Sequence, residues 1–393
     1  MRQLKIAVIG GSLVGPTAEL TFRRHGFTDV TTYEASRTPH PQSGGVMGLR
    51  QQGIEILKDA GVDVASTVAL DSRDTISWDM DGGVEPRQRG RSTLPGQVTS
   101  WDKLHHALGQ LVDIQLGHRL VALDHDGERA QLAFTKGHTD EADLVVFADG
   151  RKSTGRALLD PTRHLHYSGY CMWRGLIELP TNSAIEGFSR FYDTPRGILF
   201  SITAPIKNDG RSYWELSTNM SEAAFTRIVG KPPTEHAFLL SGQITPLIRR
   251  TIDALATAYL PAQFRDVVHD TDQIMGIPII DLPLAKQTAW PLGNAHAALV
   301  GDAAQTVRLQ TGWGLNAGIG QVHCLAGRLA NGMNLDAAVA DWSTASMAAI
   351  GPWVELGRRR AAATNLGVYE PVRPGYTAVP SNDIWSPPQW ILS

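Results

Sequence analysis

Three groups of residues in this chain have the types and spacing of phosphate and ribose chemistry. The first is Gly10-x-Ser12-x-x-Gly15, with Leu13 and Val14 inside it and Glu34 further along. Residues without bulk in a turn let a pyrophosphate approach the backbone. A helix that opens there adds unpaired N–H groups and the positive end of its dipole. A carboxylate about 20 residues further on accepts ribose hydroxyls. The second group is Asp149-Gly150 and the third is Asp302 followed by Gly312-x-Gly314-Leu315-Asn316. A tight turn in any α/β domain needs the same glycines. The order strand, turn, helix, strand, acid therefore carries the dinucleotide reading, and the glycines alone do not.

The elements that position these residues can be read in chain order. Ile6-Ala7-Val8-Ile9 is a short apolar run, 16–25 reads as a helix, and 30–33 is a second strand ending at Glu34. A loop over 39–45 and a short apolar segment over 46–49 precede a helix over 51–60. Thr75 to Trp78 and Val84 flank Asp81-Gly82-Gly83, a hairpin signal. The run Arg87-Gln88-Arg89-Gly90-Arg91 reads as a solvated loop rather than a phosphate site. A helix over 101–111 and strands over 112–116, 120–124 and 130–134 follow. The buried run 142–148 then delivers Asp149 to a sheet's carboxyl edge, where ligands bind.

From about Tyr167 aromatic residues become dense, and a largely antiparallel sheet is predicted over 170–217, with a turn at Lys207-Asn208-Asp209-Gly210. Most of these rings are core. Trp173, Tyr192, Tyr213 and Pro278 are the candidates to line a pocket for a flat ligand. Helical segments are expected over 235–240 and 246–259, and an edge strand over 274–282 around Pro278. The strand 297–300 leads into Gly301-Asp302-Ala303-Ala304, and Gly312 to Gly318 opens a helix through Leu329. A strand delivering an aspartate, then glycines at a helix N-terminus, suits a phosphate or an anionic ring edge. Residues 335–360 read as helix interrupted at Gly351-Pro352. The tail from 370 to 393 is Pro-rich and carries Trp385 and Trp390.

Composition narrows the classes. At 393 residues the chain is long enough for two domains. The net charge of −3 implies no general attraction to nucleic acid or to an anionic membrane. Cys171 and Cys324 have no metal-like spacing, so neither a disulfide framework nor a metal site is suggested. The first strand begins almost at once, leaving no room for a signal peptide, and no run is long enough to span a bilayer. A reducing cytoplasm is the expected setting. A homodimer is left open.

In this order, the three motifs together with Ala148-Asp149-Gly150-x-x-Ser153-x-x-Arg156 and Gly301-Asp302-Ala303-Ala304 resemble the single-component FAD-dependent aromatic hydroxylases, the para-hydroxybenzoate hydroxylase-like family. Gly10-Gly11-Ser12 and the stretch from Tyr167 to Gly175 are most similar to the dihydroxypyridine-hydroxylating branch. The resemblance runs to about residue 350. It implies an α/β chain with a Rossmann-like FAD-binding domain, a mixed sheet flanked by helices, and an inserted antiparallel-sheet substrate domain. The FAD-binding domain would comprise 1–70, 97–165 and 285–350, the substrate domain 71–96 and 166–284, and 351–393 a C-terminal helix and tail.

The resemblance also implies roles. Gly10, Ser12, Leu13, Val14 and Gly15 would hold the FAD pyrophosphate, and Glu34 the adenosine ribose. Asp149 belongs to a motif tied to both FAD and NAD(P)H. Asp302 would meet the ribityl–pyrophosphate region, with Gly312, Gly314, Leu315 and Asn316 against the flavin ring. Arg50 and Gln51 sit in the family's second flavin-contacting segment. The implied reaction is an NAD(P)H-dependent monooxygenation of an aromatic or N-heteroaromatic small molecule by O2 through a flavin C4a-hydroperoxide. No catalytic base is identified by the sequence; Tyr192, Tyr213 and the histidines are the candidates for the relay that deprotonates the ring.

The sequence departs from the family's pattern at several points. Gln305 and Leu309 stand where a His and a Pro are usual, Gln321 replaces an acid, Phe147 a Gly and Trp101 an Arg. These changes motivate an alternative, an atypical FAD-dependent oxidase or cyclase that does not hydroxylate.

Overall fold

The computed structural model describes residues 4–38, 45–80, 85–179, 185–235 and 238–373. The predicted loop over 39–45 (apart from Gly45), the Asp81-Gly82-Gly83 turn with Val84, and the tail tryptophans lie outside these residues.

A six-stranded sheet forms the frame. Its order is Ala289–Leu292, Ala295–Leu299, Leu144–Phe147, Ile6–Ile9, Val30–Glu34, Gln115–Leu116. All neighbours are parallel except the first pair. The three central strands are buried at every position, as parallel strands covered on both faces must be. On one face Ile6, Val8, Leu144 and Val146 pack against Ala18 and Phe22 of helix Val14–Arg24, Val322 and Leu325 of helix Gly314–Ala330, and Trp342 of helix Leu335–Ala363. On the other, Ala7, Ile9, Val145 and Phe147 meet Leu120, Leu132 and Phe134 of a three-stranded antiparallel sheet. The long helices thus lie on one face, and the short helix Thr154–Leu159 reaches the other through Leu159.

The second large sheet has seven strands, in the order Ile274–Asp281, His166–Ile177, Ser212–Asn219, Ile198–Thr203, Phe188–Asp193, Asp74–Asp79, Arg87–Thr93. It is antiparallel except where Phe188–Asp193 runs parallel to Asp74–Asp79. Alternation gives it two distinct faces. Cys171, Trp173, Phe191, Phe200, Trp214 and Leu216 pack under helices Pro246–Tyr259 and Ala262–His269. Tyr170, Met172, Leu199 and Ile277 face the other way, onto Ala361 and Leu366. A small sheet of Val46–Arg50, Gly96–Ser100 and Val68–Leu70 meets this second face at Tyr213.

Several elements differ from the sequence reading. The basic run over 87–91 is an exposed edge strand, not a loop; its arginines reach Asp74, Asp79 and Glu186. Charged residues on an edge strand discourage pairing with another chain. Only Gln115–Leu116 of the predicted strand over 112–116 is extended, and the run over 142–148 breaks at Asp143 into two strands that belong to different sheets. The segment over 235–240 is not an α-helix. Its described part is a single turn, Pro233–Glu235, and Leu239 bridges to Gly276. Helix Leu335–Ala363 continues through Gly351-Pro352. Pro costs a helix about 3 kcal/mol, and burial of Trp342, Ile350, Trp353 and Val354 on both sides of it offsets that cost. Among the described residues no helix is long and apolar enough to cross a membrane.

Trp173 is fully buried among the helices behind the seven-stranded sheet. Trp173→Ala is expected to lower the unfolding free energy by about 3–5 kcal/mol in urea denaturation while ligand affinity stays close to wild type. Native stability with lost ligand binding would return Trp173 to a pocket.

Candidate functional site

The three sequence motifs meet at the carboxyl edge of the six-stranded sheet. The first touches the second at Gly10, whose φ is +116°; a Cβ there would lie 2.5 Å from the Ala148 carbonyl oxygen and 2.9 Å from Asp149 Cα. Gly15 is equally constrained, since a Cβ would fall 1.8 Å from the Gly10 carbonyl oxygen. The first motif touches the third through Val14, whose methyls fill the notch between Gly301 and Gly318. The second touches the third through Arg156, which donates to the Ala303 carbonyl at 3.0 Å and to the Arg151 carbonyl. Arg163 donates to the Ala304 carbonyl.

The two helices that begin here are open at their N-termini. Helix Val14–Arg24 has no side-chain cap and no acid in its first turn, and the same holds for helix Gly314–Ala330. Their first N–H groups are thus available to an anion. Glu34 ends its strand beside Gly11. One carboxylate oxygen accepts from Gly11 N at 2.8 Å and the other from Ser36 N at 2.7 Å. Asp149 Oδ2 accepts from Thr154 N at 2.7 Å and Gly155 N at 3.2 Å, while its Oδ1 is buried without a partner. Burial raises the Asp149 carboxyl above its ordinary range, against the hydrogen bonds from Ser153, Gly155 and Thr154. Burial likewise raises Asp302, against the pull of Arg151 and Arg156.

Asn316 joins the third motif to the small sheet. Its Oδ1 accepts from Arg50 N at 2.9 Å and its Nδ2 donates to the Gly48 carbonyl at 2.9 Å. Leu315 packs with Leu13 in the adjoining core, and Gly312 turns the chain at φ +61°. The Arg50 guanidinium lies 4.5 Å from the Trp313 ring centroid, and Trp313 stacks on Trp353 at 4.2 Å. Gln51 is exposed at the start of helix Gln51–Asp59. An uncapped pair of helix N-termini, a backbone cradle that excludes a Cβ, a ribose-type carboxylate and an orphaned Asp149 oxygen together fit a dinucleotide that ends in a flat ring.

The departures from the family's pattern have partners. Trp101 donates to the Ser12 hydroxyl at 3.2 Å. The Phe147 ring lies where a Cβ on Gly155 would be, 2.2 Å away. Gln305 donates to the Leu282 carbonyl at 3.0 Å and accepts from Ala285 N. Gln321 accepts from Gly301 N at 2.7 Å and donates to Ser346 Oγ at 2.7 Å. Leu309 alone is exposed, in the Leu309–Thr311 turn.

Of the four residues predicted to line a pocket, Tyr192 and Tyr213 are on the sheet face toward the small sheet and helix Leu335–Ala363. Pro278 meets this region through its carbonyl, which accepts from Arg151 at 3.3 Å. Trp173 is on the opposite face. The sequence reading missed Arg151 and Arg174, whose guanidinium carbons lie 4.7 and 5.7 Å from the Phe238 ring centroid. Arg151 follows Asp149-Gly150 directly, and that position was the available signal.

No family model matches the chain. It is 26% identical over 410 residues to 2,6-dihydroxypyridine 3-monooxygenase of Paenarthrobacter nicotinovorans, across 95% of this chain and 94% of that one. Over nearly its whole length the chain is similar to the FAD-dependent aromatic hydroxylases. Kynurenine 3-monooxygenase of Saccharomyces cerevisiae is 24% identical over 356 residues, covering 81% of this chain and 72% of that relative. Among solved structures, 2,6-dihydroxypyridine-3-hydroxylase from Arthrobacter nicotinovorans shares the hydroxylase fold at TM-score 0.80 with 22% identity, over 98% of this chain and 96% of that one. Klebsiella pneumoniae HpxO, solved with FAD and uric acid, shares it at TM-score 0.71 with 19% identity, over 92% and 88%.

The raised Asp302 carboxyl has a measurable consequence. Between the unfolded value, about 3.9, and the higher folded value, the unfolded chain holds fewer protons, so stability falls as pH rises through that window. Asp302→Asn removes this fall. Urea melts of ligand-free protein from pH 4 to pH 7 should show a shallower decline in the variant, and parallel curves would contradict the buried-acid assignment.

Proposed function

We propose that this chain is an NAD(P)H-dependent FAD monooxygenase that hydroxylates an aromatic or N-heteroaromatic small molecule. The observation that carries the reading is the mutual contact of the three motifs, Gly10 on Ala148 and Asp149, Val14 on Gly301 and Gly318, Arg156 on Ala303. The hydroxylase relatives support it.

FAD, when bound, supplies hydride acceptance from NAD(P)H and activation of O2 for oxygen transfer to an electron-rich carbon. The chain's own residues supply the rest. Gly10, Ser12, Leu13, Val14 and Gly15 would hold the pyrophosphate on the open helix N-terminus, and Glu34 the ribose. Asp149 and Asp302 would take hydroxyl hydrogen bonds of the linker between them. Gly312, Gly314, Leu315 and Asn316 would line the ring, with Arg50 and Gln51 on the neighbouring segment. Asn316 fixes the distance between that line and the small sheet by bonding both sides of Arg50 and Gly48. The seven-stranded sheet, joined to the motif edge by the Arg151–Pro278 hydrogen bond, would close the site on the opposite side. Tyr213 donates to Glu215 Oε2 at 3.1 Å, which gives the sheet a proton-holding pair.

Glu34→Ala and Asp302→Ala should each weaken FAD retention by about tenfold or more, read as flavin absorbance remaining after gel filtration. Tight retention in both would break the assignment of the two motifs. The function itself is tested by following flavin bleaching under anaerobic NAD(P)H with a panel of hydroxylated aromatics, then labelled O2. Label in the product supports hydroxylation. Substrate turnover without label would replace it by the oxidase or cyclase reading that Leu309 motivates.

A further inference from the structure

The loop that joins Asp302 to Gly312 changes its anchorage half-way. Ala303 and Ala304 are held by Arg156 and Arg163, from the segment after Asp149. From Gln305 onward the anchors lie on or beside the seven-stranded sheet. Gln305 bonds the Leu282 carbonyl and Ala285 N, just beyond strand Ile274–Asp281. The Tyr170 hydroxyl donates to Gln310 Oε1 at 3.0 Å, and Arg360 donates to the Gln310 carbonyl at 3.1 Å. Arg308 makes the charged contact. Its Nη2 and Nε donate to the two carboxylate oxygens of Asp281 at 2.6 and 3.1 Å. Asp281 is the last residue of the sheet's edge strand.

Four segments converge on this pair. Arg358, from helix Leu335–Ala363, brings its Nε to 3.6 Å from the same carboxylate and donates to the carbonyls of Leu282 and Glu370. The helix packs directly on the loop, since a Cβ on Gly357 would lie 3.1 Å from Arg308 Cβ and 3.3 Å from Thr311 Cγ2. The chain beyond the helix closes the last side. Val368 N donates to the Ser168 carbonyl at 2.9 Å, and the Val368 carbonyl accepts from Arg308 Nη2 at 3.0 Å. Asn219 holds the same stretch through Asn365 and Gly367. The Arg308 and Asp281 side chains are only 2% and 15% exposed. Burial opposes the Arg308 charge, and the bonds to Asp281 more than restore it, so its pKa stands above the ordinary value. An apolar contact would hold the loop against the sheet in several registers, whereas a planar fork on a carboxylate permits one.

We propose that Arg308 is a positioning residue: through Asp281 it fixes the loop from Gln305 to Gly312, and with it the separation between Gly312-x-Gly314-x-Asn316 and the seven-stranded sheet. This rests on the FAD reading for what occupies the ring end of the site, and not for the clamp itself. A short relay carries the position of Arg308 to the helix. The Arg308 carbonyl accepts from Thr311 Oγ1 at 3.0 Å, and Thr311 Oγ1 accepts from Trp313 N at 3.1 Å, at the start of helix Gly314–Ala330. The first motif has anchors of its own, with Glu34 on Gly11 N and Ser36 N. Loss of the clamp therefore releases the ring end and leaves the pyrophosphate end held.

The test uses the full chain with Arg308→Gln, Asp281→Asn and the conservative Arg308→Lys. The first readout is hydrogen exchange of FAD-free protein. Amides over 305–313 should exchange about tenfold faster or more in Arg308→Gln and Asp281→Asn, with 6–34 unchanged and Arg308→Lys in between. Asp281→Asn keeps the shape of the side chain and carries the test if Arg308→Gln does not fold. The second readout is the visible circular dichroism of FAD-loaded protein, which reports how the ring is held. It should lose amplitude in both variants while FAD retention stays near wild type, and Arg308→Lys should recover part of it. Unchanged exchange over 305–313, faster exchange spread over the whole chain, or wild-type dichroism in variants that retain FAD would overturn the proposal. Faster exchange confined to the loop in a protein that takes up no FAD would keep the clamp and remove the monooxygenase reading. A yellow, NAD(P)H-reducible protein whose loop and dichroism ignore both substitutions would do the reverse.

Discussion

Everything in this fold depends on holding three backbone turns together at one sheet edge while leaving the N-termini of helices Val14–Arg24 and Gly314–Ala330 without a side-chain cap. A turn that binds a phosphate cannot use its N–H groups to hold itself in place. The chain solves this from behind, with side chains that grip carbonyls and distant amides. Arg156 and Arg163 take the carbonyls of Ala303 and Ala304, so the loop carrying Asp302 is fixed by guanidinium groups from the segment after Asp149. Gln321 anchors Gly301 from the following helix, and Asn316 ties that helix to the strand before Arg50. Each grip is a hydrogen bond between elements far apart in sequence, so the edge forms only when the whole frame has closed.

Much of the frame was legible because its signals are local. The runs at Ile6–Ile9, Leu144–Phe147 and 297–300 are continuous and apolar, as strands buried on both faces must be. Helix Pro246–Tyr259 declares itself by Thr245 and Pro246 at its start. What failed depended on context. The basic run over 87–91 has the composition of a loop, and only its pairing with Asp74–Asp79 makes it a strand. Gly351-Pro352 has the composition of a helix end, and burial of the helix on both sides overrides it. Trp173 and Arg174 are adjacent, and aromatic density could not say which of them faces the ligand side. Strand alternation decides it, and the register came from the partner strands.

The departures from the family's pattern were legible as departures but not in their meaning. Single positions suggested altered oxygen chemistry, whereas the structure gives most of them a specific partner. A Ser at the middle of the glycine motif goes with a Trp whose indole N–H reaches it. A Phe before Ala148 goes with Gly155, which has no side chain where the ring lies. Gln305 bonds backbone groups on both its amide atoms, and Gln321 bridges Gly301 N and the Ser346 hydroxyl. Each of these contacts helps to hold the turns in place. Leu309 is the exception, since its side chain is exposed and no second residue answers it.

The same logic separates the two sides of the site. On the motif side, polar atoms are spent on the protein itself, and the available groups are backbone N–H. On the sheet side the reverse holds, because the ladder satisfies the backbone and the side chains of Arg174, Ser201 and Arg190 are left over. Backbone donors suit a group common to every turnover, since they have no charge to choose with. Unpaired buried side chains suit a partner that must be discriminated, because the wrong one leaves them uncompensated. Arg151 stands between the two, with Asp302 on one side and Arg174 on the other. Arg151 therefore meets opposite demands from the two sides, Asp302 favouring its charge and Arg174 opposing it.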